Sequence, residues 1–244
     1  MKLISINIQT NLHNETVLAF FKKEKADVVC IQELLEEDFD YYKKELNLNG
    51  IYQPWYYINN PLYKELEGKK MGIAILANNI IDSGSFFCTG KEENILKTFD
   101  EYKSSEELQK NNAIVWADIK SDDGFVYKYI TTHLPVTHHG ECTPYQLEVI
   151  DSLLAHLDTM GEFVLCGDTN APRGRESFGC LAKKYKDNIP LGYKTSIDQN
   201  LHKVKGIQFM VDCLFTTPLY KAFNVKLVDG VSDHMAVVAN ISRN

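Results

Sequence analysis

Short, continuous apolar runs constrain the fold of this chain more than any other feature of its sequence. Residues 27–31 and 163–166 form runs that are too short for a helix and lack polar alternation, which is typical of strands buried on both faces. Other segments have strand character: residues 3–8, 72–77, 113–119, 125–132, 209–216, 223–228 and 235–241. The sequence therefore predicts about nine strands, with a hairpin turn at residues 121–124 (SDDG) between two of them.

Helical periodicity is clearest after Thr143, where Pro144 and Gln146 complete a helix start. Asn14 is the predicted N-cap of an earlier helix. Helices and hairpins alternate with crossovers, which predicts an α/β fold of two packed sheets with helices on the outer faces. No linker or repeat divides residues 1–244, so we expect a single domain. The charged segment 91–110 is predicted to be a solvated helix inserted between strands, with a mobile lid as the alternative.

Composition indicates a folded, soluble, cytoplasmic protein. The chain is 44% hydrophobic and 24% charged, and no apolar run approaches the roughly 18 residues of a membrane span. No secretory signal is visible, and the six cysteines form no CxxC pair, which argues against a zinc site. The net charge is −7, but residues 171–210 carry eight basic and three acidic residues, a net charge of +5. We expect a monomer whose phosphate-rich substrate binds near that segment.

Polar side chains follow the apolar runs at five places along the chain. Asn7 ends the first strand, Gln32-Glu33 the second, and Thr132-His133 a later one, and the remaining two groups are Asp168-Thr169-Asn170 and Ser232-Asp233-His234. Strand ends converge on a rim where a rigid scaffold holds a site. Carboxylates are hard ligands that suit Mg²⁺ or Mn²⁺, while histidines and an amide stabilise charge on phosphate. The pattern therefore indicates metal-assisted phosphoester hydrolysis.

These motifs, in this order and covering nearly the whole chain, resemble the endonuclease/exonuclease/phosphatase superfamily. The resemblance implies a four-layer α/β/β/α sandwich of two mixed sheets, as in DNase I, and a Mg²⁺- or Mn²⁺-dependent phosphoesterase. Thr132-His133-Leu134 stands where abasic-site endonucleases usually carry a tyrosine motif, which points to the histidine-bearing branch. Asn111 stands near the position where family members often have an arginine, so one phosphate contact is missing or replaced.

The resemblance also implies roles for individual residues. Glu33 would be the principal metal ligand, with Asn7 and Asp233 beside the metal. Asp168 would position the attacking water, and Asn170 would bind phosphate. His234 would act on the scissile phosphate or on the water, and Asp212 would orient His234. His133 would bind phosphate or protonate the leaving oxygen. No acidic partner for His133 is evident from the sequence.

Two arginines extend the predicted site, and other candidates have structural explanations. Arg173 and Arg175 follow the loop at Asp168, and guanidinium groups suit phosphate, so both are predicted to bind substrate. The aromatic run at residues 55–57 is predicted to pack on an edge strand or in the core, with base stacking as the alternative. The histidines at residues 138 and 139 are predicted to lie in a surface loop.

The predicted function is a phosphodiesterase, first of all a DNA nuclease or DNA-repair hydrolase that contacts no membrane. Inositol-polyphosphate or phospholipid phosphoesterase activity is the alternative within enzymes, because fold and core motif do not select the substrate. A non-catalytic binding module is the alternative of another class. Its signature would be the loss of a site residue, and every residue of the pattern is present.

Overall fold

The computed structural model describes residues 1–58, 61–94 and 111–244. Within these ranges the strands are β1 (Lys2–Asn7), β2 (Val28–Leu35), β3 (Asn49–Tyr57), β4 (Lys70–Ala77), β5 (Ile80–Thr89), β6 (Asn112–Lys120), β7 (Val126–His133), β8 (Val164–Asp168), β9 (Lys186–Asp187), β10 (Asp212–Thr216), β11 (Tyr220–Val228) and β12 (Ala236–Arg243). The α-helices are α1 (Asn14–Glu24), α2 (Glu36–Leu46), α3 (Pro144–Leu157) and α4 (Glu176–Ala182), and short 3₁₀ helices span Pro61–Leu66, Glu92–Asn94 and His138–Gly140.

The strands form two six-stranded sheets. The first sheet has the order β11-β12-β1-β2-β4-β3, and the second has the order β5-β6-β7-β8-β10-β9. Each sheet is mixed, because β1 pairs with β2 in parallel and β7 pairs with β8 in parallel while the other ladders are antiparallel. Each parallel pair is joined by a crossover that contains a helix, α1 in the first sheet and α3 in the second.

Three apolar clusters hold the layers together. An inner core between the two sheets includes Leu3, Cys30 and Tyr129, all fully buried. An outer core packs the first sheet against α1 and α2, and another packs the second sheet against α3 and α4. The predicted four-layer α/β/β/α architecture is therefore confirmed, and it explains the unbroken apolar runs, since central strands bury both faces.

Two local predictions hold in detail. The Thr143 side chain caps α3 by accepting a hydrogen bond from the Gln146 amide at 3.1 Å. The hairpin between β6 and β7 closes with a bond from the Gly124 amide to the Ser121 carbonyl at 2.9 Å. Within the described ranges, no helix is both long and apolar enough to cross a membrane.

Other local predictions need correction. Asn14 is the first residue of α1, after an N-cap at His13, and its Oδ1 atom accepts from the Tyr42 hydroxyl at 2.8 Å instead of capping the helix. The strand expected over residues 209–216 begins only at Asp212. Three of the four edge strands, β3, β5 and β9, were absent from the predicted set of strands, whereas the fourth, β11, was predicted. Most of the segment 91–110, with its predicted helix, lies outside the described residues.

Candidate active site

The candidate site lies where the inner core reaches one edge of the sheets. On β7, residues alternate so that Tyr127, Tyr129 and then His133 face the other sheet. His133 is the register partner of Asp168 on β8, and Asp168 is the partner of Asp212 on β10. Directly paired residues point to the same face of a sheet. The second sheet therefore places one histidine and two carboxylates side by side, facing the first sheet.

Gly167 permits this close arrangement of strands. Its φ is +133°, and a Cβ there would lie 2.1 Å from the Thr132 carbonyl oxygen. Any other residue would push β8 away from β7 and separate His133 from Asp168. Gly167 of β8 is therefore a structural requirement of the site.

Glu33 faces the gap between the sheets only because β2 contains a bulge. Ile31 pairs with Ala74 and Leu34 pairs with Gly72, so Gln32 and Glu33 together oppose one residue of β4. Glu33 has a φ of +56°, which is left-handed backbone. In a regular strand, the residue after the inward-facing Gln32 would point toward the helices. The bulge instead lets two consecutive polar side chains approach the second sheet.

Asn7 links the two sheets at the site. Its Nδ2 atom donates to Glu33 Oε1 at 2.9 Å and to Asp168 Oδ2 at 3.1 Å, while its Oδ1 atom accepts from the Gln9 amide at 3.0 Å. Burial raises the pKa of the Glu33 carboxyl, an effect opposed chiefly by the charge of His133. The first sheet thus contributes an amide and a carboxylate that prefers a positive partner.

Asp168 is the centre of the cluster. The carboxylate is 1% exposed, and Oδ2 lies 3.6 Å from His133 Nε2 and 3.7 Å from His234 Nε2. Its other oxygen accepts from the Asn170 backbone amide at 2.8 Å, which fixes the turn after β8. Asn170 Nδ2 in turn lies 2.9 Å from His133 Nε2 and donates to the Leu134 carbonyl at 2.9 Å. The two histidines therefore flank one buried carboxylate.

Asp212 and His234 form a buried pair. Asp212 Oδ2 lies 2.8 Å from His234 Nδ1, which directs Nε2 of the ring toward Asp168. Burial alone lowers the pKa of His234, but the neighbouring carboxylates, Asp212 foremost, outweigh burial and raise the pKa well above its usual value. The contact with Asp212 therefore orients the His234 ring, and the surrounding carboxylates favour its protonated form.

A loop that the sequence analysis missed supports this pair. The Ser196 hydroxyl accepts from the backbone amides of Val211 and Asp212, both at 3.1 Å. Asp198, 1% exposed, accepts from the Gly230 amide, and its own amide donates to the Asp233 carbonyl at 2.8 Å. The segment carries no strand or helix signal, so only its serine and aspartate, typical of side chain–backbone turns, hinted at the role.

His133 has neighbours that the sequence did not reveal. Besides Asp168, its Nε2 atom lies 3.8 Å from Glu33 Oε1, so the acidic partners come from two strands. Trp55, at the edge strand β3, packs its ring against the imidazole at a right angle, with centroids 5.3 Å apart. Trp55 lies on an edge strand and is 3% exposed, which agrees with the prediction that this aromatic run packs on an edge strand or in the core.

The remaining predicted site residues are placed less centrally. Asp233 is buried beside the cluster, and its charge contributes to the raised pKa of Glu33. Arg173 forms an ion pair with Asp187 at 2.8 Å. Arg175 donates to the His139 carbonyl and lies over the Phe209 ring. Both arginines therefore sit beside the site rather than in the cluster.

The donor set fits a divalent metal ion. Hard carboxylate oxygens of Glu33, Asp168 and Asp212 converge from both sheets, and Asp212 Oδ1 is buried without a hydrogen-bond partner among the described residues. Asn7 turns its Nδ2 toward these carboxylates, and its Oδ1 is engaged by the Gln9 amide. Donor atoms of Asp168, Asp212 and His234 also lie within 4.8 Å of one another. We regard Asp212 and His234 as a hydrogen-bonded pair, because their contact already uses Nδ1 of the ring. Glu33, Asn7 and Asp233 remain the predicted ligands.

Comparison with known proteins places this geometry in context. The model of the Endonuclease/Exonuclease/phosphatase family matches residues 4–234. A functionally unknown conserved protein from Enterococcus faecalis is 18% identical, with a TM-score of 0.75 and full coverage of both chains. The mannosyl-6-phosphatase of Bacteroides thetaiotaomicron is 13% identical, with a TM-score of 0.70 and 99% of each chain covered. The human Nocturnin catalytic domain is 16% identical, with a TM-score of 0.71 over 100% of this chain and 93% of that one. No curated protein matches by sequence.

Proposed function

The chain belongs to the endonuclease/exonuclease/phosphatase family, and on that premise we propose that it is a Mg²⁺- or Mn²⁺-dependent phosphodiesterase that cleaves nucleic acid. Members of the family are generally phosphoester hydrolases that depend on a divalent metal. The observation that carries the proposal is the buried Asp168 carboxylate, flanked by His133 and His234 and bonded to Asn7 of the other sheet. This is the arrangement that water attack on a phosphoester needs.

Each residue has a role in the proposed reaction. Asp168 orients the attacking water and accepts its proton as the new phosphorus–oxygen bond forms. His234, held charged by Asp212, stabilises the negative charge that develops on the phosphate. Asn170 binds a phosphate oxygen, and His133 protonates the leaving oxygen when the ester bond breaks.

The metal ion would be held by Glu33, Asn7 and Asp233. When bound, it supplies Lewis-acid stabilisation of the phosphate and lowers the pKa of water. The raised pKa of Glu33 supports the assignment, because a buried carboxylate that lacks a full cationic partner favours a bound cation.

A charge argument supports nucleic acid as the substrate. Residues 171–210, which begin directly after Asn170, carry a net charge of +5, whereas the rest of the chain carries −12. A phosphate backbone would be attracted to that segment and repelled elsewhere.

The test is hydrolysis of bis(p-nitrophenyl) phosphate and of DNA with and without Mg²⁺. Glu33→Gln, Asp168→Asn and His234→Asn should each lose activity while they stay folded by circular dichroism. Asp118→Asn is the matched control, because Asp118 pairs with Lys128 near the hairpin turn at the far end of the same sheet. Full activity in all three site variants would overturn the proposal. RNA, inositol phosphates and sphingomyelin complete the substrate panel.

A further inference from the structure

A pocket of about 540 Å³ lies beside the candidate active site. Its walls come from the segments around residues 172–175, 191–194 and 208–210. The first segment begins two residues after Asn170, and the last ends two residues before Asp212. A bond from the Arg173 amide to the Met210 carbonyl at 2.8 Å joins these two walls. The volume is typical of a small-molecule site, so this pocket can hold a part of the substrate that lies beside the Asp168 cluster.

The charged residues that line this pocket are all basic: Arg173, Arg175 and Lys194. Arg173 is engaged elsewhere, because its guanidinium pairs with Asp187 at 2.8 Å and donates to the Ile189 carbonyl at 3.0 Å. Arg175 and Lys194 form no ion pair with a carboxylate within the described part of the chain. The pocket therefore holds two positive charges that lack a protein counter-charge.

The Arg175 guanidinium is held in place before any ligand arrives. It donates to the His139 carbonyl, and its carbon lies 4.8 Å from the centroid of the Phe209 ring. Gly140 permits this packing, because a Cβ there would lie 2.5 Å from a Pro172 ring carbon and 3.2 Å from the guanidinium. A guanidinium carries five N–H donors, so the two protein contacts leave donors free for an anion.

The other side of the pocket offers apolar surface. Leu191 is 76% exposed although it is a large aliphatic residue, and Tyr193 lines the pocket with it. Such a wall suits the carbon skeleton of a ligand whose anionic end reaches the arginine.

We propose that this pocket binds a second phosphate of the substrate, at a distance from the phosphate that is cleaved. The inference rests on the proposed function, since it assumes that a first phosphate lies at Asp168. Arg175 is five residues from Asn170, so the Cα atoms of these two residues are at most about 17 Å apart. The second phosphate belongs either to a neighbouring nucleotide or to a small bisphosphate, and Arg175 and Lys194 bind both by the same chemistry.

Two chromogenic substrates test the subsite, thymidine 5′-(p-nitrophenyl phosphate) and its 3′-phosphorylated form, which differ only in the second phosphate. The wild-type enzyme should have a kcat/KM at least tenfold higher for the 3′-phosphorylated form. Arg175→Gln and Lys194→Gln should each reduce that ratio, Arg175→Gln by about tenfold or more. The control Lys183→Gln removes an exposed charge outside the pocket and should keep the wild-type ratio. Thermal unfolding midpoints confirm that each variant is folded.

Additional substrates separate the two sources of the second phosphate. If the second phosphate belongs to a neighbouring nucleotide, kcat/KM for oligonucleotides of two to six residues should rise at one chain length. If it belongs to a small bisphosphate, oligonucleotides should show no such rise, and only the 3′-phosphorylated chromogenic substrate should be preferred. A ratio that is unchanged in both pocket variants would overturn the subsite while the proposed function stands. If wild-type enzyme hydrolyses nothing, the proposed function fails. Calorimetry with adenosine 3′,5′-bisphosphate then tests the pocket by itself, and equal affinity in wild type and Arg175→Gln would overturn it.

Discussion

The pair formed by Asp212 and His234 makes the sharpest prediction about catalysis. Asp212→Asn keeps the size of the side chain but replaces the negatively charged oxygen that lies 2.8 Å from Nδ1 of the His234 ring by a neutral amide group. The substitution removes a charge-assisted hydrogen bond worth about 2–3 kcal/mol and the main reason why His234 is charged. If that stabilisation is realised in the transition state, at about 1.4 kcal/mol for each tenfold change in rate, kcat should fall by about 25-fold to 140-fold.

The assay is steady-state hydrolysis of bis(p-nitrophenyl) phosphate at saturating Mg²⁺, with urea unfolding of the same samples. Folding stability should not fall by a comparable amount, because burial raises the pKa of the Asp212 carboxyl and the neutral amide avoids that burial cost. Asp118→Asn again serves as the control. A folded Asp212→Asn enzyme with kcat within threefold of wild type would show that Asp212 does not orient His234.

Three further substitutions test other parts of the structure. Glu33→Gln should abolish the rise in melting temperature that Mg²⁺ produces, which at a hundred times Kd corresponds to about 2.7 kcal/mol in wild type, and calorimetry should detect no binding. Arg173→Gln should lower the free energy of unfolding by about 1–3 kcal/mol, measured in urea, because Asp187 is left half-buried and unpaired. Burial opposes ionisation of the Asp198 carboxyl, but hydrogen bonds from the backbone amides of Gly230, Leu201 and Asn200 outweigh burial and lower the pKa of Asp198. The stability it confers is therefore present above about pH 4 and lost as the pH falls through the lower folded-state pKa. The stability gap between wild type and Asp198→Asn should shrink on acidification, and a gap that widens would refute the assignment.

The sequence predicted the central strands well and the edge strands poorly, for a physical reason. β2 and β8 bury both faces, so residues 28–31 of β2 and 164–166 of β8 are apolar without interruption. β5 lies at an edge, and most of its residues are exposed or half-buried, as its Asp82-Ser83-Gly84-Ser85 segment indicates. An edge strand receives its conformation from one neighbour, and its own sequence resembles a loop.

The same contrast applies to the site. His133 and Asp168 were predictable because each ends a buried strand, and strand pairing brings such ends together. Asp212 was predicted from the family resemblance, inside a strand that the structure begins at this residue. The contact of Trp55 with His133 depends on how two sheets are stacked, which no local pattern specifies. The role of Asp198 depends on a long irregular loop, where side chains replace backbone pairing.

Because of the bulge in β2, the direction of the Glu33 side chain depends on the presence of one extra residue in the strand. Leu34 packs among the helices and Leu35 in the inner core, the reverse of what unbroken alternation from Val28 would give. Deletion of Leu34 would restore regular alternation along β2 and keep Leu35 facing the inner core. The carboxylate of Glu33 would then point toward the helix layer. The proposed metal site would lose the Glu33 carboxylate although the chain keeps its charge, so in this fold a change of length can inactivate a site as effectively as a change of residue.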